Sequence, residues 1–374
     1  MKESAGFVDA HSHLRSTSLA EHRVGGSCLE EAILRMNAMT SIDVEDDVFV
    51  ACCNLVASGV TGVQFIFHTF GAPIDYLNAL EKSLSGIRRS GIRAQVILAI
   101  TDQFEFIPQR VKESLDLPPF VATGRKMSPV EFQEVFEDAQ DRNPDFVFGI
   151  GPVAPQWCSD EMLRAISEIA QRGIRIHTHC LESESQRHWI TQSPIERLNA
   201  FDLLGPQTSL AHAVWLTDAE FKKVHETGTH LVTCPKSNIV LKSGKADCAA
   251  WREHEINVGI GLDSISGIEE PLRTAKLAFT ERDALHALTI GGAEAAGLDT
   301  SPDTVKWSDW ESSVAQEVSI AGEVIFKDGA HLRNEELIEA RSRVSKKMAA
   351  DSEGRDNRHA SLDKIMNKYL EAVR

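Results

Sequence analysis

Two pairs of histidines open a chemical reading of this chain. His11 and His13 flank a serine in Asp9-Ala10-His11-Ser12-His13, and His177 and His179 flank a threonine in Ile176-His177-Thr178-His179-Cys180. Strand side chains alternate faces, so the members of each pair point the same way. Imidazoles on one face can converge on a divalent metal, although a lone pair of this kind is more often surface or core. His179 lies nearer the carboxyl end of its segment and is the better ligand, whereas His177, one layer deeper, reads as a hydrogen-bonded core residue. Glu182 follows three residues after His179, where a carboxylate can exchange protons with water at a metal without binding the metal. Its bland alternative is a helix-start acid or a solvated loop charge. His212 closes the apolar run Ser209-Leu210-Ala211, and Asp263 directly follows Gly259-Ile260-Gly261-Leu262. Taken alone, His212 reads as structural and Asp263 as a turn or cap residue. Asp263 is also the carboxylate that could complete a set of three imidazoles.

These residues need elements that bring them together. Short apolar runs at 7–11, 62–67, 93–100, 146–150, 174–178, 209–213, 231–234 and 258–262 predict strands. Helical patterns lie between and after them at 44–58, 74–89, 129–140, 160–171, 194–203, 218–226, 246–254 and 269–279. Several have cap residues in front, namely Ser128, Ser159 and Thr217. Alternating βα units predict a parallel sheet covered by helices, and eight of them predict a closed TIM-type (β/α)8 barrel. Such barrels carry their reactive groups at the carboxyl ends of the strands. There the histidines, Glu182 and Asp263, which end strands one, five, six and eight, would meet. The open doubly wound sheet is the structural rival, but no glycine-rich phosphate loop follows the first strand.

The barrel is expected to occupy residues 1–300. A further helix is predicted over 282–296, and a small β element over 301–332 contains a hairpin of 314–320 and 323–327. Residues 333–374 are expected to form a charged C-terminal helix packed on the barrel or on a partner, which leaves room for a homo-oligomer. The stretch 116–128, with two prolines, reads as a loop near the barrel mouth. Cys52 and Cys53 read as small core residues in a helix.

Composition excludes several function classes. Acidic residues outnumber Lys and Arg by 55 to 39, giving a formal charge of −16, and a field of that sign repels phosphate backbones. A nucleic-acid partner is therefore not expected. No apolar run is long enough for a membrane span, and the opening residues lack the apolar core of a signal peptide. Seven cysteines, an odd number without framework spacing, point to reduced thiols and a cytoplasmic location.

The strings VDAHSHLR, HTHCLES, LAHAVWLTDAEF, TCPKSNIVLKSG and GIGLDS resemble the amidohydrolase superfamily. They are most similar to its mononuclear branch of cytosine, guanine and S-adenosylhomocysteine deaminases and triazine hydrolases. The resemblance runs in order from about residue 7 to about residue 298. It implies metal ligation by His11, His13, His179 and Asp263, proton shuttling by Glu182, and a water- and substrate-orienting His212. It places the PxSN motif on Pro235, Ser237 and Asn238, with a structural role for Asn238. The fourth strand has no lysine to bridge two metals, so one divalent ion is expected, zinc first and iron second. Three departures stand out. Relatives normally carry a longer segment before the first strand, so this start is truncated or misassigned, or a partner covers the exposed edge. Val153 stands where nucleoside-deaminating relatives have a histidine, which counts against a nucleoside. Ser264-Ile265-Ser266-Gly267 keeps the small character of the eighth-strand motif without its asparagine.

The expected activity is hydrolysis of a C–N bond in a nitrogen heterocycle, amidine or guanidine, with release of ammonia. The presence of Glu182 favours an amine leaving group over chloride, because chloride needs no proton. His68, Gln103, Gln156 and Trp157 are the candidate contacts to a small-molecule substrate, Trp157 by stacking. A cyclic-amide or N-alkylamine hydrolase of the same superfamily is the alternative within enzymes, and a catalytically silent metal-binding protein the one outside them. A dinucleotide-dependent enzyme fails for want of a glycine fingerprint.

Overall fold

The computed structural model describes residues 2–69, 71–103, 115–121, 126–190 and 192–373. The chain enters through a short strand, β1 (Lys2–Ala5), and then lays down eight parallel strands in chain order. These are β2 (Phe7–Ser12), β3 (Val60–Phe67), β4 (Arg93–Ile100), β5 (Val147–Pro152), β6 (Ile176–Cys180), β7 (Thr208–His212), β8 (His230–Thr233) and β9 (Val258–Ile260). Every residue of β2, β3, β6 and β7 is buried, as expected for parallel strands covered on both faces. The edges β2 and β9 come together. The backbone N–H of Asp263 donates to the His11 carbonyl at 3.0 Å, and that of Leu262 donates to the buried Asp9 carboxylate at 2.8 Å. The eight strands thus form a nearly closed, TIM-like barrel.

The helices start where their caps dictate. Ser128 accepts a hydrogen bond from the Glu131 N–H, and Ser159 from the Met162 N–H, each satisfying a donor left free at a helix start. Glu220 reaches back to the backbone N–H and hydroxyl of Thr217 at 2.7 and 2.9 Å. Cys52 and Cys53 are buried in the helix Val44–Ala57. Of the predicted loop 116–128, residues 116–121 and 126–128 carry no helix or strand, and residues 122–125 lie outside the described residues.

Several elements differ from the sequence expectation. The fifth barrel strand runs Ile176–Cys180 rather than 174–178, which puts His179 inside it. The helix expected over 282–296 is two helices, Glu281–Leu288 and Ile290–Ala296, broken at Thr289. The break brings Gly291 against β9, where a Cβ would stand 2.3 Å from the Val258 carbonyl oxygen. The C-terminal segment is also two helices, Asn334–Ala350 and Ser352–Val373. Asp351 leaves the helical path, and its carboxylate takes bonds from Arg358 at 3.2 and 2.5 Å. The small β element is larger than its hairpin. β1, β10 (Thr304–Asp309), β11 (Val314–Ile320), β12 (Glu323–Lys327) and β13 (Ala330–His331) form one antiparallel five-stranded sheet. The polar sequence of β1, Lys-Glu-Ser-Ala, has no alternation to announce a strand; its pairing to β10 makes it one.

The C-terminal helices pack on the barrel. Arg343 forks onto Asp46 with two bonds of 2.7 Å. Leu362, Met366, Tyr369 and Val373 form an apolar cluster with Leu34 and Ala38, and the Tyr369 hydroxyl donates to the Glu30 carbonyl at 3.0 Å. Glu30 and Leu34 belong to the helix Leu29–Met36, which the sequence reading left unassigned.

Strands β5 and β6 approach too closely for a side chain at Gly151, where a Cβ would lie 2.0 Å from the His177 carbonyl oxygen. Gly151→Ala must separate the two strands. It is expected to cost about 1–3 kcal/mol or more, the range for forced overpacking, read as a lower urea midpoint at unchanged slope. An unchanged midpoint would contradict this packing.

Candidate active site

Strand ends carry the chemistry. His11 lies on β2, His179 on β6 and His212 at the end of β7, while His13 and Asp263 follow β2 and β9 within a few residues. The backbone there departs from ordinary conformations. Leu14, Leu181, His212, Ala213, Asp263 and Ser264 all have positive φ, between 45 and 66°. Non-glycine residues in this region carry strain of order 1–3 kcal/mol each, and such strain clusters at functional sites. Here it turns the chain sharply, aiming the last strand side chains into the barrel mouth.

The four expected ligands come together. Asp263 Oδ1 lies 3.5 Å from His11 Nε2 and 3.4 Å from His13 Nε2. His179 Nε2 is 3.4 Å from His13 Nε2, and one nitrogen each of His11, His13 and His179 all lie within 4.8 Å of one another. Two of the three rings are anchored from behind, that of His11 by His177 and that of His179 by Val153. His179 Nδ1 meets the Val153 carbonyl oxygen at 2.7 Å, which places the ring proton on Nδ1 and leaves Nε2 bare toward the cluster. The Ser237 hydroxyl donates to Asp263 Oδ2 at 2.5 Å. Burial pushes the pKa values of His11, His13 and His179 down, so the rings stay neutral with lone pairs available. Burial acts to raise Asp263, but the adjacent imidazoles of His11 and His13 hold it well below the usual carboxylate range. His11 Nε2 is buried without a hydrogen-bond partner. A divalent ion fits this donor set of three neutral nitrogens and one carboxylate oxygen. A second trio, His11, His212 and Cys234, is also close, but burial pushes the Cys234 thiol up, so it presents no thiolate.

Two further groups face this cluster. His212 Nε2 is 3.6 Å from Glu182 Oε2, and its Nδ1 meets Asn238 Oδ1 at 3.0 Å, so Asn238 fixes the ring. Glu182 is buried and accepts from Ser243 Oγ at 3.3 Å. Burial pushes its carboxyl up to about 7, against the opposing His212 ring and with help from the Asp263 and Glu30 charges. A carboxyl poised there can give or take a proton near neutral pH.

This shift also makes stability depend on pH. The folded protein holds the Glu182 proton more tightly than the unfolded chain, where the pKa is near 4.5. The stabilisation is complete below about 4.5 and is lost as pH rises through about 7. In chelator-stripped protein, Glu182→Gln should flatten this part of the profile, recovering up to roughly 3 kcal/mol at pH 8 relative to wild type. Identical urea midpoints for the two proteins from pH 5 to 8 would exclude Glu182 as the titrating group.

A cavity of about 220 Å³ opens over the cluster, lined among others by Arg15, His68, Val153, Trp157 and Glu182. Two of the four expected substrate contacts, His68 and Trp157, therefore line it. Gln103 is exposed and Gln156 is half-buried, and neither is among the lining residues. The sequence reading missed Arg15 and the apolar wall of Leu29, Ile33, Met36 and Leu241. Arg15 ends the string VDAHSHLR, two residues beyond His13. Nothing local marks the wall, because the tertiary contact with the helix Ser352–Val373 holds the helix Leu29–Met36 over the mouth.

An eight-stranded parallel barrel with imidazoles and carboxylates gathered at its strand ends is the frame of a TIM-type enzyme, and the family match makes it a hydrolase acting on carbon–nitrogen bonds. The chain belongs to the amidohydrolase family, whose model matches residues 4–301. It is 26% identical over 319 residues to a 5'-deoxyadenosine deaminase of Methanosarcina mazei, a match covering 79% of this chain and 68% of that protein. It is 28% identical over 266 residues to 5-methylthioadenosine/S-adenosylhomocysteine deaminase 2 of Archaeoglobus fulgidus, covering 69% of this chain and 58% of that one. Its fold is similar to the crystal structure of a zinc-bound adenosine deaminase from Xanthomonas campestris, with a TM-score of 0.72 at 19% identity over 93% of this chain and 86% of that one. Among the described residues, no helix is long and apolar enough to cross a membrane.

Proposed function

We propose that this protein is a metal-dependent aminohydrolase that replaces an amino group on an electron-poor carbon with oxygen from water and releases ammonia. The observation that carries the reading is the buried Glu182, with its carboxyl near 7, beside His212 and the cluster of His11, His13, His179 and Asp263. Those four residues would hold one divalent ion. When bound, it supplies Lewis acidity that brings the ionisation of water from about 15.7 down to roughly 7. Zinc suits three nitrogens and one oxygen, and iron is the second choice. Zinc is also what the Xanthomonas campestris structure contains.

The chain's own groups do the rest. Asp263 and His212 orient the attacking water and take its proton. Glu182 hydrogen-bonds the ring nitrogen next to the reacting carbon and delivers a proton to the leaving amine. Water thus adds to the carbon, the C–N bond breaks, and nitrogen leaves as ammonia. Trp157 and His68 hold the planar substrate. The small cavity favours a free heterocycle, amidine or guanidine, as does Val153 at its wall. Pockets for drug-sized ligands usually span about 300–1,000 Å³. A nucleoside is the second reading, favoured by the names of the two deaminase relatives. All seven cysteines are free thiols, which supports a cytoplasmic location.

The test is metal analysis of the purified protein, followed by an ammonia-release screen over purines, pterins, pyrimidines, triazines, guanidines and adenosine derivatives. About one equivalent of zinc or iron and ammonia from at least one planar amino compound are expected. Products without ammonia would favour a ring-opening or N-alkylamine hydrolase. Metal-replete protein inert on every class would refute the assignment.

A further inference from the structure

His177 is buried completely and takes no part in the chemistry above, yet it touches His11 of the proposed ligand cluster. Its Nε2 lies 2.7 Å from Nδ1 of His11, and its own Nδ1 lies 2.7 Å from Oγ of Ser209. The Ser209 hydroxyl in turn donates to Oε1 of Gln64 at 3.2 Å. His177, Ser209 and Gln64 are all 0% exposed, so solvent cannot substitute for any of these bonds. We infer that His177, Ser209 and Gln64 form a polarised hydrogen-bond chain that fixes His11 in the only tautomer able to bind a metal through Nε2.

The direction of each bond follows from chemistry. His11 turns Nε2 toward Asp263 and Nδ1 toward His177. A metal takes an unprotonated nitrogen, so the proton of the neutral ring must sit on Nδ1. His11 Nδ1–H then donates, and His177 Nε2 must accept. The single proton of neutral His177 is therefore on Nδ1, where it donates to Ser209. Ser209, already accepting from His177, turns its hydroxyl toward Gln64. The amide oxygen of Gln64 can only accept, so it ends the chain and sets its polarity. If His177 were inverted, its Nε2–H would face His11 Nδ1. The His11 proton would then move to Nε2, between the lone pairs that should hold the ion.

His177 is thus a positioning residue, as are the partners that orient metal-binding histidines generally. Losing such a partner typically costs 10- to 100-fold in metal affinity. The inference rests on His11 being a ligand but is independent of the reaction catalysed. The test is zinc affinity of the full-length protein, by competition with a chromophoric chelator, for wild type, His177→Leu, His177→Gln and Ser209→Ala. Urea midpoints of the metal-free proteins are measured alongside. Leu fills the space but accepts nothing, and should weaken zinc binding 10- to 100-fold. Gln offers a carbonyl oxygen to His11 and should recover most of that loss. Ser209→Ala should weaken binding in the same direction with a smaller change in stability, and reads the chain even where His177→Leu does not fold. Nitrogen-15 NMR of the metal-free wild type should show His11 protonated on Nδ1. Zinc held as tightly by Leu as by wild type, Gln no better than Leu, or His11 protonated on Nε2 would each overturn the chain. A wild-type protein that fails to take up zinc while its His11 is protonated on Nδ1 would instead refute the metal assignment and leave the hydrogen-bond polarity demonstrated.

Discussion

Glu182→Gln is expected to leave the metal in place and lower turnover by roughly 10²–10⁴-fold, the usual worth of a positioned general acid–base. The carboxyl faces the ligand cluster without joining it: its Oε2 is 3.6 Å from His212 Nε2, and its Oε1 accepts from Ser243. It is therefore placed to move a proton rather than to bind the ion. Gln has the same shape and still accepts from Ser243, so the site should keep its form. What Gln lacks is an exchangeable proton near neutral pH. The loss should appear in kcat with metal content unchanged. A variant that keeps most of its turnover would remove Glu182 from proton transfer.

His179→Ala is expected to do the opposite, abolishing turnover by losing the ion. His179 Nε2 is one of three nitrogens gathered within 4.8 Å, and the Val153 carbonyl fixes the ring at 2.7 Å. Alanine removes the donor, while the Val153 carbonyl keeps its bond from the backbone N–H of residue 179 at 3.1 Å, so the loss falls on the ion rather than on the fold. Metal analysis after dialysis should show well below one equivalent, with activity falling in proportion. The two substitutions thus separate holding the ion from moving the proton. If His179→Ala retained a full equivalent of tightly bound metal, the ligand assignment would fall. Glu182→Gln would remain a separate test of the proton route.

Much of this site was legible in the sequence because its residues lie at the ends of strands with strong signals. The runs around 62–67 and 93–100 are almost wholly apolar, and a parallel barrel buries both faces of its strands. Once eight such units are seen, the barrel fixes where His11, His13, His179, His212 and Asp263 must meet. Period-two spacing put His11 and His13 on one face, and chain order put Glu182 at the exit of the fifth strand. The hairpin over 314–327 was equally plain, with Ala321-Gly322 at its turn and apolar residues on each side.

Other features were illegible for physical reasons. β1 is polar and becomes a strand only through its backbone bonds to β10. The breaks at Thr289 and Asp351 arise where a helix must bend to approach a strand or take an arginine. Most of the apolar wall of the cavity lies on the helix Leu29–Met36, which packs against the C-terminal helix. The role of His177 was the hardest to see. Its sequence context gives a core histidine, which it is, but the identity of its neighbours across the barrel is a tertiary fact.

The sequence by itself determined the barrel, the order of its strands and the set of side chains at its mouth, because periodicity and strand ends are local properties of the chain. Only the tertiary structure decided which nitrogen of each ring faces the cluster, how far burial lifts Glu182, and which helix closes the cavity. Those depend on distances between residues up to about 340 positions apart, such as Glu30 and Tyr369, and no local pattern encodes them.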